Sequence, residues 1–366
     1  MHNLAESVPT DRDKDAVRQG KSAVEIRTVG AELEGQRLDN FLMARLKGVP
    51  RSHVYRLIRS GQVRVNSGRA APSYKLRAGD RVRVPPVGRT GTAAAAPSAP
   101  EAVAWLADRI IYEDARLLVL DKPAGLAVHG GSGVNLGCIE ALRVLRPELE
   151  SLELVHRLDR GTSGCLLVAK RRSVLRALHG VLRDGGMEKR YLALVRGSWD
   201  HGNVEIDARL DVRRRKHGEV VVRVDDDGKP ASSRFRRVDA FGSVASLVEV
   251  SIGTGRTHQI RVHAAHAGHP IAGDERYGDP AFNDAMKAYG LTRMFLHAAA
   301  VAFDWPDSGE PFAVSAPLPA DLKDVLQALD RARADRGRNP EGSQRPRSAG
   351  GRSARSGRGS GSRKRV

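Results

Sequence analysis

The chain has 366 residues, 40% of them apolar, and a net charge of +18. Its length suits two domains with tails, and its charge bears on partners more than on fold. No apolar run approaches the roughly 20 residues of a membrane helix. The start, MHNLAESVPTDRDKD, lacks the apolar stretch of a secretory leader, and Cys138 and Cys165 form no CxxC pair. A cytoplasmic protein without a disulfide framework or cysteine-based zinc site is expected.

The charge is unevenly placed. Residues 35–86 carry twelve Lys/Arg against Asp39 and Asp80, a net +10. Residues 336–366 carry ten against Glu341, a net +9, and the stretch between, 87–335, is close to neutral. Two basic segments around a near-neutral body suit a phosphate backbone, where each neutralised phosphate releases counterions. Solubility charge usually mixes both signs.

In chain order, residues 1–30 are polar and mixed in charge, and predict a disordered tail. GQRLDNFLMARL spaces Leu38, Phe41, Leu42 and Leu46 on one helix face, and SHVYRLIRSG does the same with Val54, Leu57 and Ile58 before a stop at Gly61. QVRVNSGR and DRVRVPP alternate as short strands, with a turn at Asn66–Gly68. Residues 35–86 therefore read as a small module, followed by a Gly/Ala/Pro linker over 87–100. From 101 to 330 a larger domain is expected. RIIYEDARLLVLDKPAGLAVH gives short strands around turns, and RRSVLRALHGVLRD a helix with Val174, Leu175, Leu178, Val181 and Leu182 on one side. RYLALVRGSW and ASLVEVSIGTG read as strands, HQIRVHAAHAGHPI passes from strand to short helix, and LKDVLQALDRARA closes as a helix. Residues 207–230 read as a highly charged loop. This order does not alternate as a parallel βαβ array does, so the fold class is α+β. The Arg/Gly/Ser tail, 336–366, has little to bury and predicts disorder.

Four segments carry candidate chemistry. VHRLDRGTSGCLLVAK (155–170) places His156, Arg157 and Asp159 in a loop between apolar strands, where active sites often lie. A solvated turn with Asp159 paired to a neighbouring arginine is an equal alternative. IGTGRTHQIRVHAAHAGHPIAGDERYGD (252–279) holds His258, His263, His266 and His269. A zinc site is weakly supported, since Cys or carboxylate ligands and an HExxH pattern are missing, and GTGRT lacks a P-loop frame. The sharper reading puts Arg256 and Arg261 on or beside one strand, reaching a shared anionic centre. In MEKRYLALV, Tyr191 is a core aromatic or a base-stacking one; the chain has only 16 aromatics for such work. LDKPAGLAVHGG (120–131) is a rigid turn after a strand.

Together, HRLDRGTSG with AK five residues on, LDKPAGLAVH, KRYLALVRG, TGRTHQIRVH with GHPIAGDERYG, and FLHAAAVAF resemble the motifs of the ribosomal large-subunit pseudouridine synthase A superfamily, in its order and spacing from about 105 to 315. Residues 35–84 resemble an S4 RNA-binding domain. The combined layout, with VPRSHVYRLIRSGQVRVN, is similar to the superfamily's C-type branch, which acts on 23S ribosomal RNA. The resemblance implies a catalytic domain with a mixed, largely antiparallel central sheet flanked by helices, and isomerisation of uridine to pseudouridine without cofactor or metal. The implied partner is 23S rRNA or a large-subunit precursor, met by a monomer. Asp159 matches the catalytic aspartate, which must be ionised to act as nucleophile or base. Arg261, with Arg256 in reserve, matches the guanidinium that favours the charged form. Tyr191 matches the tyrosine that stacks on the target base. Arg157 would fill the space of the flipped nucleotide or grip a phosphate, since chemistry on a stacked base requires eversion. Arg37, Arg51, Arg56, Arg59 and Arg64 are the RNA-binding candidates of the S4-like module. The competing readings are a non-catalytic RNA-binding or assembly factor on the same scaffold, and a metal-dependent hydrolase using the histidines.

Overall fold

Apolar spacing builds the N-terminal module as expected. The structure, a computed structural model, describes residues 24–46, 49, 51–86, 100–130, 136–149, 151–214 and 220–338. The module runs β1 (Glu25–Thr28), α1 (Leu38–Arg45), α2 (Arg51–Arg59), β2 (Arg64–Val65) and β3 (Arg81–Val84), with antiparallel strand order β1-β3-β2. Leu38, Phe41 and Leu42 pack with Val54, Leu57 and Ile58 onto Val82 and Val84. The turn after β2 has Asn66 and Ser67 in the left-handed region, at φ 49° and 67°. The Asn66 side chain holds it, donating to Asp80 at 2.7 Å and accepting from the Arg81 amide at 2.8 Å.

Three expectations about the ends need correction or limits. The tail placed at 1–30 overlaps β1, which pairs with β3 although all four of its residues are exposed; an edge strand made by backbone bonds leaves no apolar signature. The tail placed from 336 overlaps the last helix, which runs to Arg338. Residues 1–23, most of the linker and everything after 338 lie outside the described residues.

The second part of the chain contains β4 (Ile110–Glu113), β5 (Leu117–Lys122), α3 (Cys138–Leu145), β6 (Glu153–Leu154), β7 (Ser163–Ala169), α4 (Arg172–Arg183), β8 (Glu188–Arg196), β9 (Asn203–Asp207), β10 (Leu210–Arg214), β11 (Val220–Val224), β12 (Ser232–Phe241), β13 (Ala245–Ile252), α5 (Gln259–His266), α6 (Pro280–Lys287), β14 (Leu296–Asp304), β15 (Pro311–Ser315) and α7 (Ala320–Arg338). The main sheet has the order β4-β5-β7-β14-β8-β13-β12-β9, with β6 on β7 and β15 on β14. All its pairings are antiparallel except β7 with β14, so the fold is the α+β, largely antiparallel arrangement expected. The fully buried β5 and β7 divide their side chains between two cores. Leu118, Leu120, Leu166 and Val168 face α3, while Leu117, Val119, Cys165 and Leu167 face α4 and Trp305. α4 buries the predicted face, with Val174 and Leu178 deepest.

The charged stretch expected as a loop at 207–230 is a second correction. β10 and β11 form a five-pair hairpin from Leu210↔Val224 to Arg214↔Val220. Alternation underlies it: Leu210 and Val222 are buried against Ala231 and Val262, and Asp211, Arg213 and Arg223 take the alternate positions. High charge on one face obscured a period-2 signal.

Candidate active site

The loop carrying Asp159 joins β6 to β7 and is clamped from below. Lys122, fully buried at the end of β5, donates from Nζ to the carbonyl oxygens of Pro123 and Leu126 at 2.9 Å and of Arg160 at 3.3 Å. Burial pushes its amine down to about 8, and Cys138 and Asp159 pull it part of the way back. Arg160 returns a bond to the Gly125 carbonyl at 2.8 Å, and the Gly125 amide donates to the Arg160 carbonyl at 2.8 Å. The LDKPAG turn thus fixes the HRLDRG loop. On the far side, Gly164 enters β7 at φ +108°, where any Cβ would lie 2.2 Å from the Ala298 oxygen of β14. Only glycine fits this close approach, which occurs where the two halves of the sheet meet in parallel.

Asp159 opens into a cleft walled by Arg157, Tyr191, Ile252, the turn Gly255–His258 and the start of α5. Its Oδ2 accepts from Arg261 Nη1 at 3.2 Å. Arg261 is anchored in turn by Asp274, with Nε to Oδ2 at 2.7 Å and Nη2 to Oδ1 at 2.8 Å. Asp274 has no exposed side-chain surface and also accepts the amides of Arg276 at 2.9 Å and Tyr277 at 3.1 Å. Burial works against both charges, but their hydrogen bonds and mutual attraction prevail: the Asp274 carboxyl is held below its ordinary value and the Arg261 guanidinium above its own. A planar fork suits this bidentate grip, with one nitrogen left for Asp159. The Tyr277 ring lies 5.0 Å from the guanidinium carbon.

His258 stands beside the same carboxylate, its Nε2 3.8 Å from Asp159 Oδ2. Burial pushes its ring down, with Asp159 pulling back, so it is neutral at neutral pH. It occupies the left-handed region at φ 54° just before α5, an uncommon place for a side chain and one found at functional sites. Its Nδ1 is 2.8 Å from the Tyr277 hydroxyl, which accepts the Val222 amide of the hairpin at 3.0 Å. Tyr191, on β8, is buried; burial and then Asp159 raise its hydroxyl, which stays protonated at neutral pH.

The structure brings Asp159, Tyr191, Arg261 and Arg157 to one cleft, Arg157 as an exposed rim residue. Two expectations about the arginines are corrected. Arg261 sits on helix α5, not on a strand, because the chain turns at His258 and the buried Gln259, Val262 and His263 follow at helical spacing. Arg256 lines the same cleft but pairs with no carboxylate among the described residues; its Nε donates to the Pro230 carbonyl at 3.2 Å. The histidines disperse: His263 is buried between Ser233 and Ala208, His269 Nδ1 donates to the Arg196 carbonyl at 2.8 Å, and among the described residues no three potential ligands converge on a metal position. In the S4-like module, Arg56 and Arg59 are exposed on α2, whereas Arg37 is committed to the buried Asp39 at 2.7 Å and Arg64 to the Gly61 carbonyl at 2.8 Å. Arg51 opens α2, and its side chain lies outside the described part.

The family model described as RNA pseudouridylate synthase matches residues 116–266, and that described as S4 domain matches residues 36–82. The ribosomal large subunit pseudouridine synthase C of Yersinia pestis is 54% identical over 314 residues, covering 86% of this chain and 98% of its own. The chain belongs to the RNA pseudouridylate synthase family. The enzyme of the same description from Escherichia coli (strain K12) is 53% identical, covering 85% of this chain and 98% of its own. Among solved structures, human RNA pseudouridylate synthase domain containing 4 superposes with a TM-score of 0.53 at 24% identity, over 63% of this chain and 96% of that one, a likeness of fold.

Asp274, His258 and Tyr277 are site residues of this synthase that sequence reasoning did not assign. In the sequence GDERYGD stands only as part of a family motif, and His258 as one of four histidines that could ligate a metal. Nothing local ties Asp274 to a helix start thirteen positions earlier; that pairing exists only after folding.

Proposed function

We propose that this chain isomerises particular uridines of large-subunit ribosomal RNA to pseudouridine, with Asp159 as the acting carboxylate. The observation that carries the assignment is the Asp159–Arg261–Asp274 chain of ion pairs at the floor of one cleft, in a chain more than half identical to a synthase of that description. The reaction breaks the N1–C1′ bond of uridine, forms C5–C1′, releases the proton from C5 and places one on N1; nothing is oxidised and no group is transferred away. An ionised carboxylate can serve as nucleophile or base in such a step. Arg261 supplies the opposite charge and Asp274 fixes its direction, so geometry is set before RNA arrives. Tyr191 offers a neutral ring for the everted base, and Arg157 at the rim takes the vacated stack or a phosphate. Arg56, Arg59 and the other exposed arginines of the S4 module supply affinity for the phosphate backbone. The working form is a monomer in the cytoplasm, on 23S rRNA or its precursor; no helix among the described residues is long and apolar enough to cross a membrane.

The test is to incubate purified protein and chelator with unmodified large-subunit rRNA and map carbodiimide-dependent reverse-transcription stops. Discrete new stops are expected. Their absence with rRNA and with precursor particles alike would overturn the assignment, and activity lost only on chelation would favour a metal enzyme.

A further inference from the structure

Two lysines are buried beside the cleft, and they differ in what surrounds the ammonium group. Lys122 is enclosed by three carbonyl oxygens. Lys189 is 95% buried on β8, two residues before Tyr191 and therefore on the same sheet face, yet no acceptor or carboxylate among the described residues pairs with its Nζ. The nearby acids are engaged elsewhere, Glu188 with Arg190 at 3.6 Å and Glu249 with Arg236 at 2.9 Å. Its titratable neighbour His156 is no counter-charge: burial pushes that ring down to about 4, and its Nε2 accepts from the Leu167 amide. Its stem is buried, but Nζ is not among the sealed polar atoms that lack a partner, so an ammonium without a protein acceptor stays within reach of a ligand.

The position of Nζ indicates which ligand. It lies 3.8 Å from where a side chain on Gly255 would begin, behind the glycine turn that walls the cleft. That turn leads into the N-terminus of α5, which has no side-chain cap at His258. The Gln259 side chain instead braces the turn, accepting the Thr254 hydroxyl at 2.7 Å and the Arg256 amide at 3.0 Å. The first-turn amides of Ile260 and Arg261 have no acceptor among the described residues. An uncapped helix start, an open glycine turn and an ammonium group without a protein acceptor together favour an anion.

We propose that Lys189, the Gly253–His258 turn and the first turn of α5 form a subsite for a phosphodiester of the target nucleotide, holding the backbone while the base enters the cleft. This rests on the assignment of RNA as substrate and adds a positioning residue to it. It makes Lys189 a determinant of binding, separate from the charge system around Asp159, with which it forms no ion pair.

The test compares the full-length protein with K189M and K189R on an RNA fragment carrying a mapped target uridine, and on the same fragment with one neutral methylphosphonate 5′ or 3′ to that uridine. K189M is expected to raise Kd and KM by about ten- to a hundredfold, the range for a hydrogen bond to a charged group. It should change kcat little and flatten the salt dependence of binding by about 0.7 in log–log slope, one phosphate's share on a single strand. K189R should retain the slope. One of the two neutral linkages should weaken the unsubstituted protein to the same degree and cost K189M nothing further. An unchanged Kd and slope in a folded K189M, or a loss confined to kcat, overturns the proposal. Should K189M not fold, the neutral-linkage RNAs still decide: if neither weakens the unsubstituted protein, there is no such subsite. Absence of turnover in the unsubstituted protein would count against the assigned reaction instead, since the subsite is read from binding.

Discussion

Replacing Asp274 by asparagine probes the support of the site without touching the cleft. The exchange keeps the shape and removes one charge. The oxygen that now accepts Arg261 Nη2 and the amides of Arg276 and Tyr277 is retained, but an amide nitrogen then faces Arg261 Nε across 2.7 Å, donor against donor. Because the Asp274 side chain is unexposed and that of Arg261 only 12% exposed, solvent offers little screening. Breaking a buried pair on one side costs about 3–5 kcal/mol; the amide bonds that survive place this case near the lower end. At about 2–4 °C per kcal/mol for a domain of this size, the melting temperature should fall by about 6–12 °C. Turnover should fall by about a hundredfold, the scale expected when a positioned group shifts by an ångström. R261M should cost a similar amount, by leaving the Asp274 charge buried without its cation. The double variant removes both charges and should be no less stable than the worse single one, a coupling that a double-mutant cycle reads directly. A melting shift under 2 °C in D274N, or two losses that simply add, would refute the claim that this pair braces the catalytic loop.

Acid should act through the same carboxylate. Asp274 is held below its ordinary 3.8, so its contribution is complete above that value and is lost as pH falls through the folded-state value. Melting curves from pH 7 downward should therefore show the unsubstituted protein and D274N converging below about pH 4. G164A should lose at least about 4 kcal/mol, seen as low soluble yield or collapse of the melting temperature, since a methyl 2.2 Å from the Ala298 oxygen forces β7 and β14 apart. Y277F removes the hydroxyl that joins Val222 to His258 and should cost about 1–3 kcal/mol; amide exchange over Val220–Val224 should speed up while α1 and α2 stay protected.

What could be read from sequence follows the range of the interactions. The helix faces of α1, α2 and α4 repeat within a few residues, and their apolar spacing reports burial directly. β1 left no trace because its four side chains all face solvent and only its backbone is paired. The β10–β11 hairpin was obscured by charge on its outer face. The first half of α5 read as a strand because Ile260, Val262 and Ala264 alternate with Arg261 and His263, while the turn that starts it depends on one left-handed residue, His258. At the site, Asp159, Tyr191 and Arg261 were legible through family motifs. Their contacts were not, since Arg261 meets Asp159 across 102 positions. The Lys122 clamp and the single parallel pairing of β7 with β14 are likewise products of tertiary structure.

The most direct measurement replaces Asp159 by asparagine and follows tritium released from large-subunit rRNA labelled at uridine C5, alongside equilibrium binding of the same RNA. The variant should bind within a few-fold of the unsubstituted protein and release no tritium above background. Release at an undiminished rate would show that another group performs the chemistry, and the role given to this carboxylate would have to be abandoned.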